Sequence, residues 1–247
     1  MSLNPPLLST ALTQSQVLGL PLHLSPDYGT WLSDRLQQGL STHVVTLNAE
    51  MAMQAQGDDR LATIIRQAEL VVPDGSGVVF YLRLRGQRIE RCPGIELAEE
   101  MLGYAVQQHC SVFFYGGQPD VAATAAQRWR EQYPDLVMAG VADGYGDAAA
   151  QAALLDRLKQ LQPKLIFVGL GVPRQEFWIQ QHRSICPQAT WVGVGGSFDI
   201  WAGCKVRAPR FLRNNHLEWT YRLYQEPWRW RRMLALPQFA WKALRGD

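Results

Sequence analysis

The sequence predicts an α/β protein of two α/β halves, the second a doubly wound, mostly parallel, Rossmann-like sheet, followed by a basic, aromatic-rich helical tail. Three observations carry this. Between residues 111 and 196, short apolar runs each end in glycine and most lead into a helical pattern, the alternation that builds parallel sheets. Before residue 108 similar segments occur with irregular spacing. After Cys204 the composition changes, with ten basic residues against three acids and four of the nine tryptophans. The chain is therefore divided into 1–108, 109–204 and 205–247.

Taken in order, residues 1–15 are polar, include Pro5 and Pro6, and suit a loose arm. Residues 17–24 read as a strand or hairpin interrupted by Gly19 and Pro21, and 28–40 as a helix on the spacing of Trp31, Leu32, Leu36 and Leu40. A buried strand over 43–48 ends in polar side chains, with Thr46 and Asn48 on one face because they are two apart. Helical segments at 50–55 and 59–68 lead to a strand at 70–72, which stops at Pro73-Asp74-Gly75. A helix over 76–84 ends at Gly86, a charged connection covers 88–94, and 96–108 is amphipathic. Strands at 111–115, 136–141, 165–171 and 190–194 then alternate with helices at 119–133, 148–161 and 175–181.

Hydrophobic residues make up 47% of the 247 and charged residues 19%, a globular composition with no apolar run long enough to span a bilayer. The N-terminus lacks the basic start and apolar block of a signal peptide, and Cys92, Cys110, Cys186 and Cys204 form no CxxC pair or zinc spacing. Reduced thiols in a cytoplasmic protein are expected. The net charge of +2 divides into +7 after residue 204 and −5 before it. A basic tail interleaved with tryptophan points to a polyanion or a membrane surface. A peripheral association with such a surface is expected. Arg207, Arg222, Arg229, Arg231 and Arg232 are the candidates for the polyanion or the membrane surface.

Asp74 follows a strand end, at the rim where open α/β sheets bind ligands. It reads either as an Asx-turn residue or as a general base. The other strand ends offer Gly116 and Gly117, Asp143, Gly144 and Tyr145, and Gly169, Gly171 and Pro173. Strand ends bare of side chains and facing helix N-termini let phosphates reach backbone N–H groups, so these are candidate nucleotide-binding residues. Gln175 and Glu176 lie in a helical first turn, where they either cap the helix or contact a base or sugar hydroxyl. The dinucleotide fingerprint, the P-loop, a DxD pair and metal-ligand spacing are all missing from the sequence. No metal or cofactor is expected, and arginines and helix ends would handle phosphate.

The motifs Thr46-Leu47-Asn48, Pro73-Asp74-Gly75, Glu90-Arg91-Cys92-Pro93-Gly94, Tyr115-Gly116-Gly117, Gly171-Val172-Pro173-Arg174-Gln175-Glu176, Gly195-Gly196-Ser197-Phe198-Asp199, Arg207-Ala208-Pro209 and Glu218-Trp219-Thr220-Tyr221-Arg222-Leu223 together resemble the WecG/TagA/CpsF family, glycosyltransferase family 26. The likeness runs in one order from about residue 17 to residue 232. It implies a metal-independent, inverting transfer from a UDP-sugar to a polyprenyl-diphosphate-linked saccharide in cell-wall or extracellular polysaccharide synthesis. The implied reaction lies at the inner face of the plasma membrane, without a nucleic-acid partner, and makes the tail arginines candidates for the lipid diphosphate. N-acetylmannosamine, its uronic acid, glucose and glucuronic acid all fit as the sugar, and the resemblance allows a homo-oligomer. It also implies that Thr46, Asn48, Asp74, Arg91 and Gln175 line the cleft, with Asp74 and Arg91 as catalytic residues. Cys92-Pro93 and Arg174 depart from the family's commoner choices, and Cys92-Pro93 bears on where Arg91 points. The rival expectation is a non-catalytic nucleotide- or lipid-binding scaffold, against which all five matched positions are filled.

Overall fold

The computed structural model describes residues 12–87 and 89–245. In chain order the elements are β1 (Thr13–Val17), β2 (Leu20–Leu24), α1 (Tyr28–Gln37), β3 (Thr42–Leu47), α2 (Ala49–Ala55), α3 (Asp59–Gln67), β4 (Leu70–Pro73), α4 (Ser76–Leu84) and α5 (Gly94–Gln107). They continue with β5 (Val112–Gly116), α6 (Val121–Gln132), β6 (Met138–Ala142), α7 (Ala148–Leu161), β7 (Leu165–Gly169), α8 (Arg174–His182), β8 (Thr190–Gly193) and α9 (Ser197–Trp201). The C-terminal helical region holds α10 (Arg210–Asn214), α11 (Glu218–Gln225), α12 (Trp230–Met233) and α13 (Ala235–Arg245).

β1 and β2 form an antiparallel hairpin whose turn, Leu18-Gly19, takes positive φ at both residues, the backbone that matches strand twist. Thr13 to Ser15 therefore belong to a strand and not to a loose arm. Their polar side chains hid this, because the strand exists through pairing with β2, which buries Leu20 and Leu22. Residues 1–11 of the expected arm lie outside the described residues.

The other strands form one parallel sheet of six, ordered β4-β3-β8-β7-β5-β6. Every residue of β3 is buried, as expected of a strand covered on both faces. Val44, Val72, Phe114, Phe167 and Val192 pack with α1, α5, α6 and α9 on one face. Val45, Leu47 and Val71 pack with α2, α3, α4 and α13 on the other, where Phe113, Ile166 and Trp191 meet α7 and α8. β3 pairs with β8 through Thr42–Thr190, His43–Trp191 and Val44–Val192, so strands from either side of residue 108 share one sheet. β8 thus enters between β3 and β7, and all six strands point their carboxyl ends at one rim.

The C-terminal region is tied to this body by α13. Phe239 is buried against Tyr81 of α4, their ring centroids 6.0 Å apart. Gly77 permits the approach of α4 to α2, since a Cβ there would come within 2.9 Å of the Ala49 Cβ. By contrast Phe211, Tyr224, Trp228, Trp230, Trp241 and Leu244 are exposed.

Candidate active site

The rim at β3 and β4 is built by close backbone contacts. The Asp74 N–H donates to the Leu47 carbonyl at 2.9 Å and the Cys92 N–H to the Pro73 carbonyl at 3.0 Å. These bonds hold Asp74 beside the end of β3 and bring the segment carrying Arg91 alongside it. Asn48 caps α2, its Oδ1 accepting from the Met51 N–H at 2.9 Å, a choice that suits an N-cap. Gly94 opens α5 directly against Thr46, where a Cβ would come within 2.7 Å of Cγ2. Gly75 turns the chain with φ +90°, a conformation that favours glycine.

A cleft of about 220 Å³ opens on this rim. Thr46, Asn48, Asp74, Gly94, Gly171, Gln175, Gly195 and Ser197 wall it from the sheet side, and Lys205, Arg207, Glu218, Arg222 and Arg232 from the C-terminal side. A second pocket of about 120 Å³ shares Asn48, Glu50, Asp74, Glu218 and Arg222 with it. That pocket also takes in Arg91 and continues past Ser76 and Gly77 toward Trp219, Met233 and Leu236. Asp74 therefore stands where a polar cleft meets a pocket with an apolar outer wall.

The charges around it are paired in a definite pattern. Arg91 Nη1 lies 3.0 Å from Glu218 Oε2, and Arg222 Nη2 lies 2.8 Å from Glu218 Oε1. Burial pushes the Asp74 carboxyl above the usual carboxylate range, against the opposing pull of Arg222, Arg91 and the Gly94 N–H. Burial also raises Glu218, but Arg222 and Arg91 more than offset it and hold that carboxylate down. Lys205 pairs with Asp199 and Glu226, Arg207 with Glu96, and Arg232 with Glu50.

Gln175 has a structural task at the cleft floor. Its Oε1 accepts from the Gly171 N–H at 3.2 Å and the Gly195 N–H at 3.0 Å, so it latches the loop after β7 to the loop after β8. Its Nε2 donates to Glu176 Oε1 at 2.8 Å. A Cβ on Gly193 would sit 2.5 Å from that Nε2. Glu176 is only 1% exposed and is not part of the cleft wall. The sugar or base contact expected of it is thereby corrected. The first turn of α8 packs inward under the loops, and Glu176 orients the Gln175 amide. Burial pushes its carboxyl up to about 7, and Oε2 has no hydrogen-bond partner.

The remaining candidates lie further along the same rim, outside the wall of the cleft. Gly116 and Gly117 end β5, where a Cβ on Gly116 would meet the Gly169 backbone at 2.5 Å and the Gly117 N–H donates to the Gly169 carbonyl. The Gly144 N–H donates to the Gly117 carbonyl, and the Tyr145 N–H to Asp143 Oδ1 at 2.8 Å. Tyr145 itself is 65% exposed. These glycines therefore serve close strand-end packing, and Pro173 directly precedes α8. Arg231 lies over the Trp230 ring on the surface, away from the cleft wall. The expectation for Arg229 falls on a side chain outside those described. Among the described residues, no three His, Cys, Asp or Glu side chains gather to hold a metal, and no helix is long and apolar enough to cross a membrane.

Sequence reasoning gave Glu218 no part in the site: it stands there among the three acids of a basic tail and in the Glu218–Leu223 motif, without a role. The available signal was its i,i+4 spacing to Arg222, together with the cost of burying an unpaired charge.

The description of the family that matches residues 15–246 is the glycosyl transferase WecG/TagA/CpsF family. The chain belongs to this family. Three relatives carry the name N-acetylglucosaminyldiphosphoundecaprenol N-acetyl-beta-D-mannosaminyltransferase. The Bacillus spizizenii protein is 36% identical over 94% of this chain and 88% of its own length. The Bacillus subtilis protein is 34% identical over 86% and 82%, and the Staphylococcus aureus protein 36% identical over 81% and 78%. For a WecG/TagA/CpsF chain, the arrangement gives one carboxylate without an ion pair among the described residues, two arginines facing it, and separate polar and apolar approaches to it.

Proposed function

We propose that this chain transfers a hexose-type sugar, with N-acetylmannosamine the first choice, from its UDP derivative to a polyprenyl-diphosphate-linked N-acetylglucosamine, with inversion and without a metal. The observation that carries the reading is Asp74, a carboxylate with burial-raised basicity at the junction of the two pockets. The relatives' reaction supports the substrates.

In this reading the acceptor enters past Trp219, Met233 and Leu236, and the UDP-sugar lies along the sheet rim. Its uridine end runs over the β7–β5–β6 strand ends toward Tyr145, in the manner of a Rossmann-like nucleotide site. The acceptor hydroxyl attacks the anomeric carbon as the bond from that carbon to the UDP oxygen breaks. Asp74 takes the hydroxyl proton, and UDP leaves with the bonding electron pair. Arg222 and Arg91 supply positive charge as the diphosphate departs. Thr46 and Asn48 flank the sugar, and the Gln175 latch holds the cleft floor. The exposed tryptophans and arginines of the C-terminal helices would rest on the inner face of the plasma membrane, where tryptophan favours the interface and each basic residue gains about 1 kcal/mol near anionic lipid.

The test is a mass-spectrometric screen of UDP-hexoses against a short-chain polyprenyl-diphosphate N-acetylglucosamine, in buffer with EDTA. The expected outcome is one disaccharide product with matching UDP release, at a rate EDTA leaves unchanged. No UDP release from the folded protein with any donor would favour the scaffold, and loss on EDTA restored by Mg²⁺ would overturn the metal-free phosphate handling.

A further inference from the structure

We propose that Glu218 is a positioning residue whose two carboxylate oxygens hold Arg91 and Arg222 away from Asp74, leaving Asp74 free to accept the acceptor's proton. The inference rests on the reading of Asp74 as the base and adds a residue that neither touches substrate nor reacts.

The geometry is specific. Glu218 is buried, and its oxygens divide between the two guanidiniums, Oε2 to Arg91 at 3.0 Å and Oε1 to Arg222 at 2.8 Å. All four residues line the smaller pocket. Asp74 makes no ion pair among the described residues, although both arginines act on it electrostatically. The other cations described on the cleft wall each pair with an acid other than Glu218: Arg232 with Glu50, Arg207 with Glu96, and Lys205 with Asp199 and Glu226. Beside Asp74 on the Arg91 segment, Cys92 is kept a neutral thiol, first by burial and then by Asp74 itself. Arg91 and Arg222 are thus the cations facing Asp74 that depend on Glu218.

Removing that acid takes the ion-pair partner from both guanidiniums in a partly desolvated site. Unpaired charge in such a site is costly, and of the other carboxylates acting on Arg222, Asp74 comes before Glu226. A carboxylate gripped by arginine is stabilised in its ionised form and becomes a weaker base. The same arginines are needed at the leaving diphosphate, so an enzyme that keeps both charges near its base requires a third group to divert them. Glu218 is that group.

The experiment records kcat/KM against pH for the full chain with UDP-N-acetylmannosamine and the short-chain acceptor, comparing wild type, Glu218→Gln, Glu218→Asp and the double variant Glu218→Gln/Arg222→Gln. In Glu218→Gln the acidic limb should move down by about one pH unit or more, the scale for a charge within ~4–6 Å. Turnover at neutral pH should fall roughly 10-fold as the base weakens, with donor KM changed less than about 3-fold. Glu218→Asp, which keeps the charge, should return the limb to within about 0.3 unit of wild type, against the one-unit scale above. The double variant removes the freed cation with its partner, so it should fold even where Glu218→Gln does not and show a limb within about 0.5 unit of wild type on that same scale. A limb that stays fixed in Glu218→Gln, or one displaced by a full unit in the double variant, overturns the proposal. An inactive Asp74→Asn enzyme beside an unmoved Glu218→Gln limb would refute this inference alone, whereas an active Asp74→Asn enzyme would refute the base.

Discussion

At the β4–β3 end of the rim the strand ends carry side chains, Thr46, Asn48 and Asp74, and three charged groups from distant parts of the chain converge on Asp74. At the β5–β6 end the strand ends are Gly116-Gly117 and Asp143-Gly144-Tyr145, whose N–H groups donate to the Gly117 carbonyl, to the Gly169 carbonyl of β7 and to the Asp143 side chain. One sheet thus presents a charged end suited to moving a proton and a nearly neutral end suited to holding a flat ring and a ribose. The difference teaches that a glycine at a strand end reports how closely backbones approach. It takes the charge beside that strand end to mark where chemistry can occur. Changes at the charged end should therefore act on turnover, and changes at the neutral end on donor affinity.

The largest effect should come from Asp74→Asn, which keeps the volume and removes the proton acceptor. Turnover should fall at least ~10²-fold, the scale of a lost general base, while donor KM stays near its original value. Steady-state kinetics on the folded variant checks this, and near-normal turnover would erase the distinction between the two ends. Next comes the anchor that brings the C-terminal charges to the charged end. Phe239→Ala removes the aromatic buried against Tyr81 and should cost about 3–5 kcal/mol of stability, read from urea unfolding. A cost under about 0.5 kcal/mol, the level of an ordinary surface change, would mean that Phe239 does not anchor α13 to α4.

Much of the charged end was legible in the chain. The spacing of Thr46 and Asn48 put both at one strand end, although β3 stops at Leu47 and Asn48 caps α2. The Pro73-Asp74-Gly75 stop places Asp74 at a strand end. The helices at residues 76–84 and 148–161 have the bounds their apolar spacing predicts, because they bury one face against a sheet. Non-local pairing was not legible. Nothing local says that β8 enters between β3 and β7, or that the halves divided at residue 108 share a sheet. The five residues of α9 are too short to show a period, though Phe198 and Trp201 fill the core. Glu218 lies 127 residues from Arg91, so its part in the site depends on a contact that only the fold creates.

Between the two ends sits the latch, and its effect should appear in pH. Glu176 is raised to about 7 by burial, so the folded state binds its proton more tightly than the unfolded chain does. The stability this proton brings is fully present below the unfolded value and is lost as pH rises through about 7. Wild-type unfolding free energy should therefore decline between about pH 5 and 8, by roughly 3 kcal/mol if no other group compensates. Glu176→Gln, which can still accept from the Gln175 amide, should flatten that slope with little change in turnover at pH 6. Parallel slopes for the two proteins in chemical denaturation would show that Glu176 is not the group responsible.

The smallest effect should come from the neutral end, and it separates the two ends most directly. Tyr145 is exposed beside a turn whose backbone donors are already used, so its ring is available for stacking without supporting the fold. Base–aromatic stacking is worth about 1–3 kcal/mol by alanine substitution. A ring exposed on one face belongs at the lower part of that range, so Tyr145→Ala should raise donor KM roughly 5- to 30-fold. Binding energy of this kind is the same in the ground state and the transition state, so kcat should hold within about 2-fold. Tyr145→Phe, which keeps the ring, should restore donor KM, and UDP alone should lose affinity for the alanine variant by the same factor as the donor. If Tyr145→Ala instead lowers kcat with KM unchanged, the nucleotide does not end on that ring, and charge has ceased to distinguish the end that binds from the end that reacts.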